Sequence, residues 1–305
     1  MSEFGRSLEA SYRSCWDRAR RAGSSFYPAF WLLPRDKRKA MHALYAFLRH
    51  TDDLADDPLP VEARRQLLAR WRASLREATS TPREHNSLLV EPGPAPSECQ
   101  DRAGCSILPA LADTVRRYRI PVEHLEAVID GVQQDLDRPR FQTFAELEQY
   151  CHCVASAVGL ACIHIWGFRS IEAFRPARSC GVAYQLTNIL RDLGEDADSG
   201  RVYLPLEDLQ QCGYSVEDLL GKRVDARFLR LMELELQRAR RCYEEGTALN
   251  EYLEPEGRRI FGMMTATYRR LLQEIDRRKE QVFSRRICLS RWQKLLIAAR
   301  WFLYP

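Results

Sequence analysis

Long apolar runs are missing from this 305-residue sequence. A membrane-spanning helix needs about 18 or more consecutive apolar residues. The nearest approach, CVASAVGLACIHIWGF (153–168), is shorter and carries serine and histidine, so a buried helix is expected there. An excess of one charge is missing too. Lys and Arg number 46 against 42 Asp and Glu, and a net +4 gives no argument for a nucleic-acid partner. The ten cysteines include no CxxC pair, which removes the usual spacing of a zinc site. The triplet CHC (151–153) does not replace it, because residues i and i+2 of a helix point apart. The N-terminal MSEFGRSLEASYRSCWDRARR is charged and lacks the apolar segment of a secretion signal. A cytoplasmic chain with reduced thiols is therefore expected. There is no alternating strand pattern, no repeat of fixed period and no dinucleotide fingerprint, and none of the six histidines pairs with a nucleophile.

What is present is helical periodicity. Apolar positions recur at helical spacing over 37–55, 61–78, 107–118, 122–136, 144–168, 171–193, 227–253 and 256–283. With 45% hydrophobic residues the chain can bury a substantial core. One segment stands apart, STPREHNSLLVEPGPAPSECQDRAG (80–104), with four prolines and two glycines. It is expected to form a mobile surface loop. Charged motifs on both sides of it need each other, so one all-α domain spanning 1–305 with an excursion is expected.

The segment RHTDDLADD (49–57) places an arginine and four aspartates in nine positions. A helix turns about 100° per residue, so from Tyr45 the positions 49, 52 and 56 fall near 40°, −20° and 20°. Tyr45, Arg49, Asp52 and Asp56 share one stripe. Asp53 and Asp57 rotate away, and Asp57 precedes Pro58, where a helix ends. The segment QLTNILRDLGED (185–196) behaves alike: from Gln185, positions 188, 192 and 196 fall near −60°, −20° and 20°. Gln185, Asn188, Asp192 and Asp196 make a second polar stripe, flanked by Val182, Ala183, Leu186, Ile189, Leu190 and Leu193.

Carboxylates one turn apart repel, and burial makes the repulsion worse. A compensating positive group is needed. Oxygen donors without paired Cys or His favour a hard cation, and Mg²⁺ takes a few carboxylates together with substrate phosphates. Two facing acidic helices with arginines nearby suit a diphosphate bridged by Mg²⁺. The competing reading is two solvated helix faces.

Together these motifs resemble the squalene and phytoene synthase family, the head-to-head prenyl synthases, from about Ser24 to Lys294. YCHCVASAVGLAC (150–162) is similar to the family's first signature, and GVAYQLTNILRDLGEDADSGRVYLP (181–205) to its second. YAFLRHTDDLAD (45–56) is similar to its first aspartate-rich motif. The resemblance implies an all-α isoprenoid synthase fold around a central cavity. It implies Mg²⁺, with Mn²⁺ as a substitute, held by Asp52 and Asp56 on one side and Asn188, Asp192 and Asp196 on the other. It implies diphosphate contacts from Arg49, Gln185 and Arg191 with Tyr45 beside them, and from Arg201 and Tyr203 of the trailing Arg-x-Tyr-x-Pro. Ser24 and Ser25 of SSFYPAF match a phosphate-binding segment, although Ala22 and Gly23 stand where relatives carry a basic residue or histidine. Tyr268 and Arg285 match a further substrate tyrosine and arginine, and the Tyr150 hydroxyl is implied to steer the cationic intermediate.

The segments SSFYPAFWLLPRDKRKA and VFSRRICLSRWQKL look most like bacterial presqualene diphosphate synthases. That implies two farnesyl diphosphates joined to presqualene diphosphate for squalene or hopanoid synthesis. The alternative is a phytoene synthase using geranylgeranyl diphosphate; NADPH enters only for a full squalene synthase. A reading of another class is a non-catalytic relative serving as an assembly factor, which would be expected to lose the aspartates that this chain retains. Ala155, Ser156, Ala157 and Gly159 either make room for a prenyl chain or pack helices closely. DGVQQDL (130–136) is expected to cap the cavity. The apolar terminus LLIAARWFLYP follows an arginine-rich stretch. It is expected to be a helix docked on the body, with peripheral contact to an anionic membrane as the alternative.

Overall fold

A computed structural model describes residues 3–23, 26–80, 102–137 and 140–303. Fourteen α-helices are present among them: α1 (Glu3–Arg21), α2 (Arg35–Ala55), α3 (Val61–Thr79), α4 (Arg102–Tyr118), α5 (Val122–Asp135), α6 (Phe144–Cys151) and α7 (Ala157–Trp166). They continue as α8 (Phe174–Asp198), α9 (Leu206–Gln211), α10 (Val216–Leu220), α11 (Ala226–Thr247), α12 (Leu249–Tyr252), α13 (Pro255–Arg277) and α14 (Arg291–Leu303). No strand occurs among the described residues; one isolated bridge joins Phe168 and Leu253. The fold is the all-α architecture that the periodicity predicts. Of the predicted loop, residues 81–101 lie outside the described residues, and its last residues, from Arg102, open α4.

Local chemistry sets the boundaries. Proline directly precedes α2, α3, α5 and α9, where its missing N–H costs nothing. Ser215 and Asp218 form a reciprocal capping box at α10. Asp225 accepts hydrogen bonds from the backbone N–H groups of Arg227 and Phe228 at the start of α11. Two apolar clusters form the interior. One gathers α2, α3, α4, α5 and α7, and the other α6, α9 and α11 with most of α8 and α13. Helix α7, AVGLACIHIW, is buried along most of its length, as its uniform hydrophobicity requires.

Between α6 and α7 the chain makes one π-helical turn, His152–Ser156. Glycines on two neighbouring helices let this wider turn fit. A Cβ at Gly131 of α5 would come within 2.5 Å of Val154 Cγ1, and one at Gly181 of α8 within 2.6 Å of the Ser156 backbone nitrogen. The small residues serve both purposes. Ala155 and Gly159 line the cavity described below, whereas Ser156 and Ala157 are buried in helix packing. The eight cysteines with described side chains are all free thiols, and among the described residues no helix is long and apolar enough to cross a membrane.

Candidate active site

Residues of both predicted polar stripes line one cavity of about 440 Å³, although Asp56, Asp192 and Asp196 are not among its lining residues. From α2, Tyr45, Arg49 and Asp52 line it; from α8, Gln185 and Asn188 do. Between residues 180 and 197 of α8 the positions with open surface are 184, 185, 188, 191, 192, 195 and 196, and they make a single stripe. The rest of the wall is apolar and aromatic, including Phe26, Phe30, Trp166, Phe261 and Tyr268.

Asp52 has surface open to the cavity, but protein surrounds that space on most sides. This loss of bulk water pushes its carboxyl up to about 6; Arg49 opposes the rise and Asp56 adds to it. No cation stands within ion-pair distance of Asp52 or Asp56 among the described residues, because Arg49 instead pairs with Asp53 at 2.7 Å. Asp53 faces away from the cavity and is also bound by Arg18 at 2.7 Å. That placement agrees with the helical angles. Asp56 caps the end of α2, its N–H donating to the Asp52 carbonyl.

The facing acids are neutralised differently. Asp192 accepts from Arg191 Nε at 2.8 Å and from Arg286 Nε at 2.9 Å. Asp196 lies 3.3 Å from Arg201 Nε. Burial nonetheless raises the Asp196 carboxyl to about 6, against the pull of Arg201 and with Asp192 adding to the rise. Asn188 Nδ2 donates to Gln185 Oε1, and Tyr268 Oη donates to Asn188 Oδ1 at 3.2 Å. Tyr268 stacks on Phe26 at 5.1 Å, which ties this residue to the segment that follows Ser24 and Ser25. Those two serines lie outside the described residues.

Two findings go beyond the sequence reading. Asp135, at the end of the DGVQQDL segment, lines the cavity and accepts hydrogen bonds from Tyr150 at 2.8 Å and Tyr203 at 2.9 Å. Burial raises its carboxyl and the two tyrosine donors lower it. Burial and the adjacent Asp135 push Tyr150 far above the ordinary phenol range, so it acts as a neutral donor. The sequence signal was position: Asp135 continues the cavity-facing series 128, 132, 135 on α5. The second finding concerns the C-terminal arginine. Arg285 is exposed and donates to Gln281, whereas its neighbour Arg286 reaches Asp192 and Glu195.

The donor set fits a hard cation. Asp52, Asp56, Asn188, Asp192 and Asp196 include only carboxylates and an amide, whose oxygens suit such an ion, and burial holds two of these carboxyls, Asp52 and Asp196, above their normal range. Among the described residues no three His, Cys, Asp or Glu side chains converge tightly enough to hold a metal alone. Mg²⁺ is compatible with that, since it keeps water and takes phosphate oxygens to complete its shell.

Comparison with known proteins agrees with this geometry. Residues 19–293 match the squalene/phytoene synthase family. The chain is 34% identical to a phytoene synthase of Arthrospira platensis, over 94% of this chain and 90% of that one. It is 32% identical to a 15-cis-phytoene synthase of Synechococcus elongatus, over 95% and 91%. Among solved structures, a dehydrosqualene synthase in complex with ligand superposes with a TM-score of 0.81 at 25% identity, covering 99% of both chains. A squalene synthase from Alicyclobacillus acidocaldarius shares the fold with a TM-score of 0.77 at 24% identity, covering 90% of this chain and 95% of that one. A chain without strands among its described residues, with residues of two polar stripes lining one largely apolar cavity and a family match along nearly its whole length, belongs to the squalene/phytoene synthase family of head-to-head prenyltransferases.

Proposed function

We propose that this protein joins two geranylgeranyl diphosphates head to head to give phytoene, in a Mg²⁺-dependent reaction. The observation that carries the choice of substrate is the 32–34% identity to phytoene synthases over nearly full length. It outweighs the likeness of the terminal segments to presqualene diphosphate synthases. The farnesyl reading stands second, favoured by the overlap with a dehydrosqualene synthase at 25% identity.

The residues divide the work. Arg49 lines the cavity, and Arg191, Arg201 and Arg286 pair with Asp192 and Asp196 on the second stripe, so a departing diphosphate would find donors there. Mg²⁺ held by Asp52 and Asp56, and by Asn188, Asp192 and Asp196, would add positive charge to that leaving group. Loss of diphosphate leaves an allylic cation. The apolar wall keeps water from it, and the aromatic faces of Phe30, Tyr45 and Tyr268 offer it electron density. The C2–C3 double bond of the second prenyl diphosphate adds to the cation, and loss of a proton closes a cyclopropane. Departure of the second diphosphate, rearrangement of the cyclopropylcarbinyl cation and loss of a second proton then give phytoene. Tyr150, hydrogen-bonded to Asp135, keeps its proton and serves as a fixed donor near this chemistry. The departed diphosphate is the base at hand.

The test is a product assay with Mg²⁺. Geranylgeranyl and farnesyl diphosphate are offered separately, with and without NADPH, and products are identified by mass spectrometry. Phytoene from the longer substrate without NADPH is expected. Presqualene diphosphate from the shorter one alone would transfer the protein to the farnesyl reading, and no product from either would favour a non-catalytic role.

A further inference from the structure

Helix α14 is apolar on two opposite faces. Ile297, Ala298 and Trp301 turn inward, and Trp301 lies flush on Gly262 of α13, where any Cβ would strike its ring. On the outward face Trp292, Leu295, Leu296 and Leu303 are 77%, 58%, 70% and 70% exposed. Measured from Trp292, positions 295, 296, 299 and 303 fall within about 60° on either side. They form one continuous apolar stripe. Exposed patches of that kind mark interaction surfaces.

The charges around the stripe identify its partner. Helix α14 contains no acid, and Arg291 and Arg300 border the stripe at about −100° and 80°. Neither they nor Lys294 has a carboxylate partner among the described residues, unlike Arg277, Arg278, Lys279 and Arg286, which all pair with acids. Residues 277–303 hold eight Lys or Arg and one Glu, whereas the rest of the chain has 38 basic and 41 acidic residues. The positive excess is therefore local. A second copy of the chain would set these cations against their own kind. An anionic bilayer satisfies both features, with headgroups for the cations and acyl chains for the stripe. The inner side of α14 packs on α13, which supplies Phe261 and Met264 to the cavity wall.

We propose that α14 docks the protein on an anionic lipid surface, its outward stripe in the acyl boundary. This goes beyond the substrate reading and is tested without turnover. The purified full chain is sedimented with vesicles of phosphatidylcholine alone, or mixed in equal parts with phosphatidylglycerol. Preferential binding to the anionic vesicles is expected, lost in about 1 M salt, where screening is nearly complete. Arg291→Gln and Arg300→Gln should each weaken partitioning about fivefold. The double variant Leu295→Glu, Leu296→Glu should abolish it while leaving the helical circular-dichroism signal intact. Absence of wild-type binding, equal binding to both vesicle types, or binding that survives the double variant would overturn the proposal. So would a concentration-dependent dimer that the double variant dissolves, which would make this face a contact between copies.

Discussion

The two acidic helices face the same cavity in opposite electrostatic states. On α2, Asp52 and Asp56 have no cation within pairing distance among the described residues, because Asp53 holds both Arg49 and Arg18. On α8, Asp192 is held by Arg191 and Arg286, and Asp196 lies beside Arg201. The difference suggests unequal tasks. The α2 carboxylates are free to take a cation as soon as one arrives. The α8 carboxylates must share their arginines, and a diphosphate is the group best suited to draw those arginines off. The paired side is thus poised to respond to substrate, and the unpaired side to metal.

The largest expected effects fall on both helices. Asp52→Asn and Asp192→Asn should each reduce turnover about 10³-fold, the scale of a lost transition-state contact, with the far-UV circular dichroism unchanged. Substantial activity in either variant would remove that helix from the metal site. The asymmetry appears in the Mg²⁺ dependence. Arg286→Gln, which frees Asp192, should lower the Mg²⁺ concentration giving half-maximal rate while costing about tenfold in kcat/KM for the prenyl diphosphate. Residual activity of Asp52→Asn should need more Mg²⁺ than wild type. If Arg286→Gln also needs more, the arginine does not compete with metal. Asp53→Ala should cost less, about tenfold and mostly in KM, because it releases Arg49 without touching the cavity. A loss equal to that of Asp52→Asn would break the division between the two faces of α2.

The smallest effect concerns the buried back of α2. His42 is buried against Tyr27 and Phe30, and desolvation, joined by Arg38, lowers its imidazole to about 4. Its folded value thus lies below the ordinary 6.5. As pH falls from about 6.5 toward 4, the unfolded chain takes up the proton and the folded one does not, so stability is lost. The contribution is on the order of 2–3 kcal/mol by pH 4. In melts recorded across that window, His42→Gln should show a shallower decline than wild type. Parallel declines would mean that His42 titrates normally.

Helical period alone carried much of this site. Tyr45, Arg49 and Asp52 and the pair Gln185 and Asn188 reach the cavity because both stripes lie on regular helices, where angle follows from position. Asp53 faces Arg18 for the same reason. What escaped lies where that period fails or where the partner is remote. Arg285 and Arg286 fall between α13 and α14 in irregular chain, so no angle could choose between them. The Arg286–Asp192 pair spans 94 positions. The π-turn at His152–Ser156 interrupts a sequence that reads as one continuous helix, and around it Ala155 and Gly159 line the cavity while Ser156 and Ala157 are buried in packing. Helix α14 was expected to dock on the body, and it does so on one face only.

That the two unlike helices form a single metal and diphosphate site is tested most directly by calorimetric titration of Mg²⁺, with and without inorganic pyrophosphate. Weak binding to wild type alone and markedly tighter binding with pyrophosphate are expected, and the gain should vanish in both Asp52→Asn and Asp192→Asn. A gain that survives in either variant would contradict a shared site and leave the two helices with separate roles.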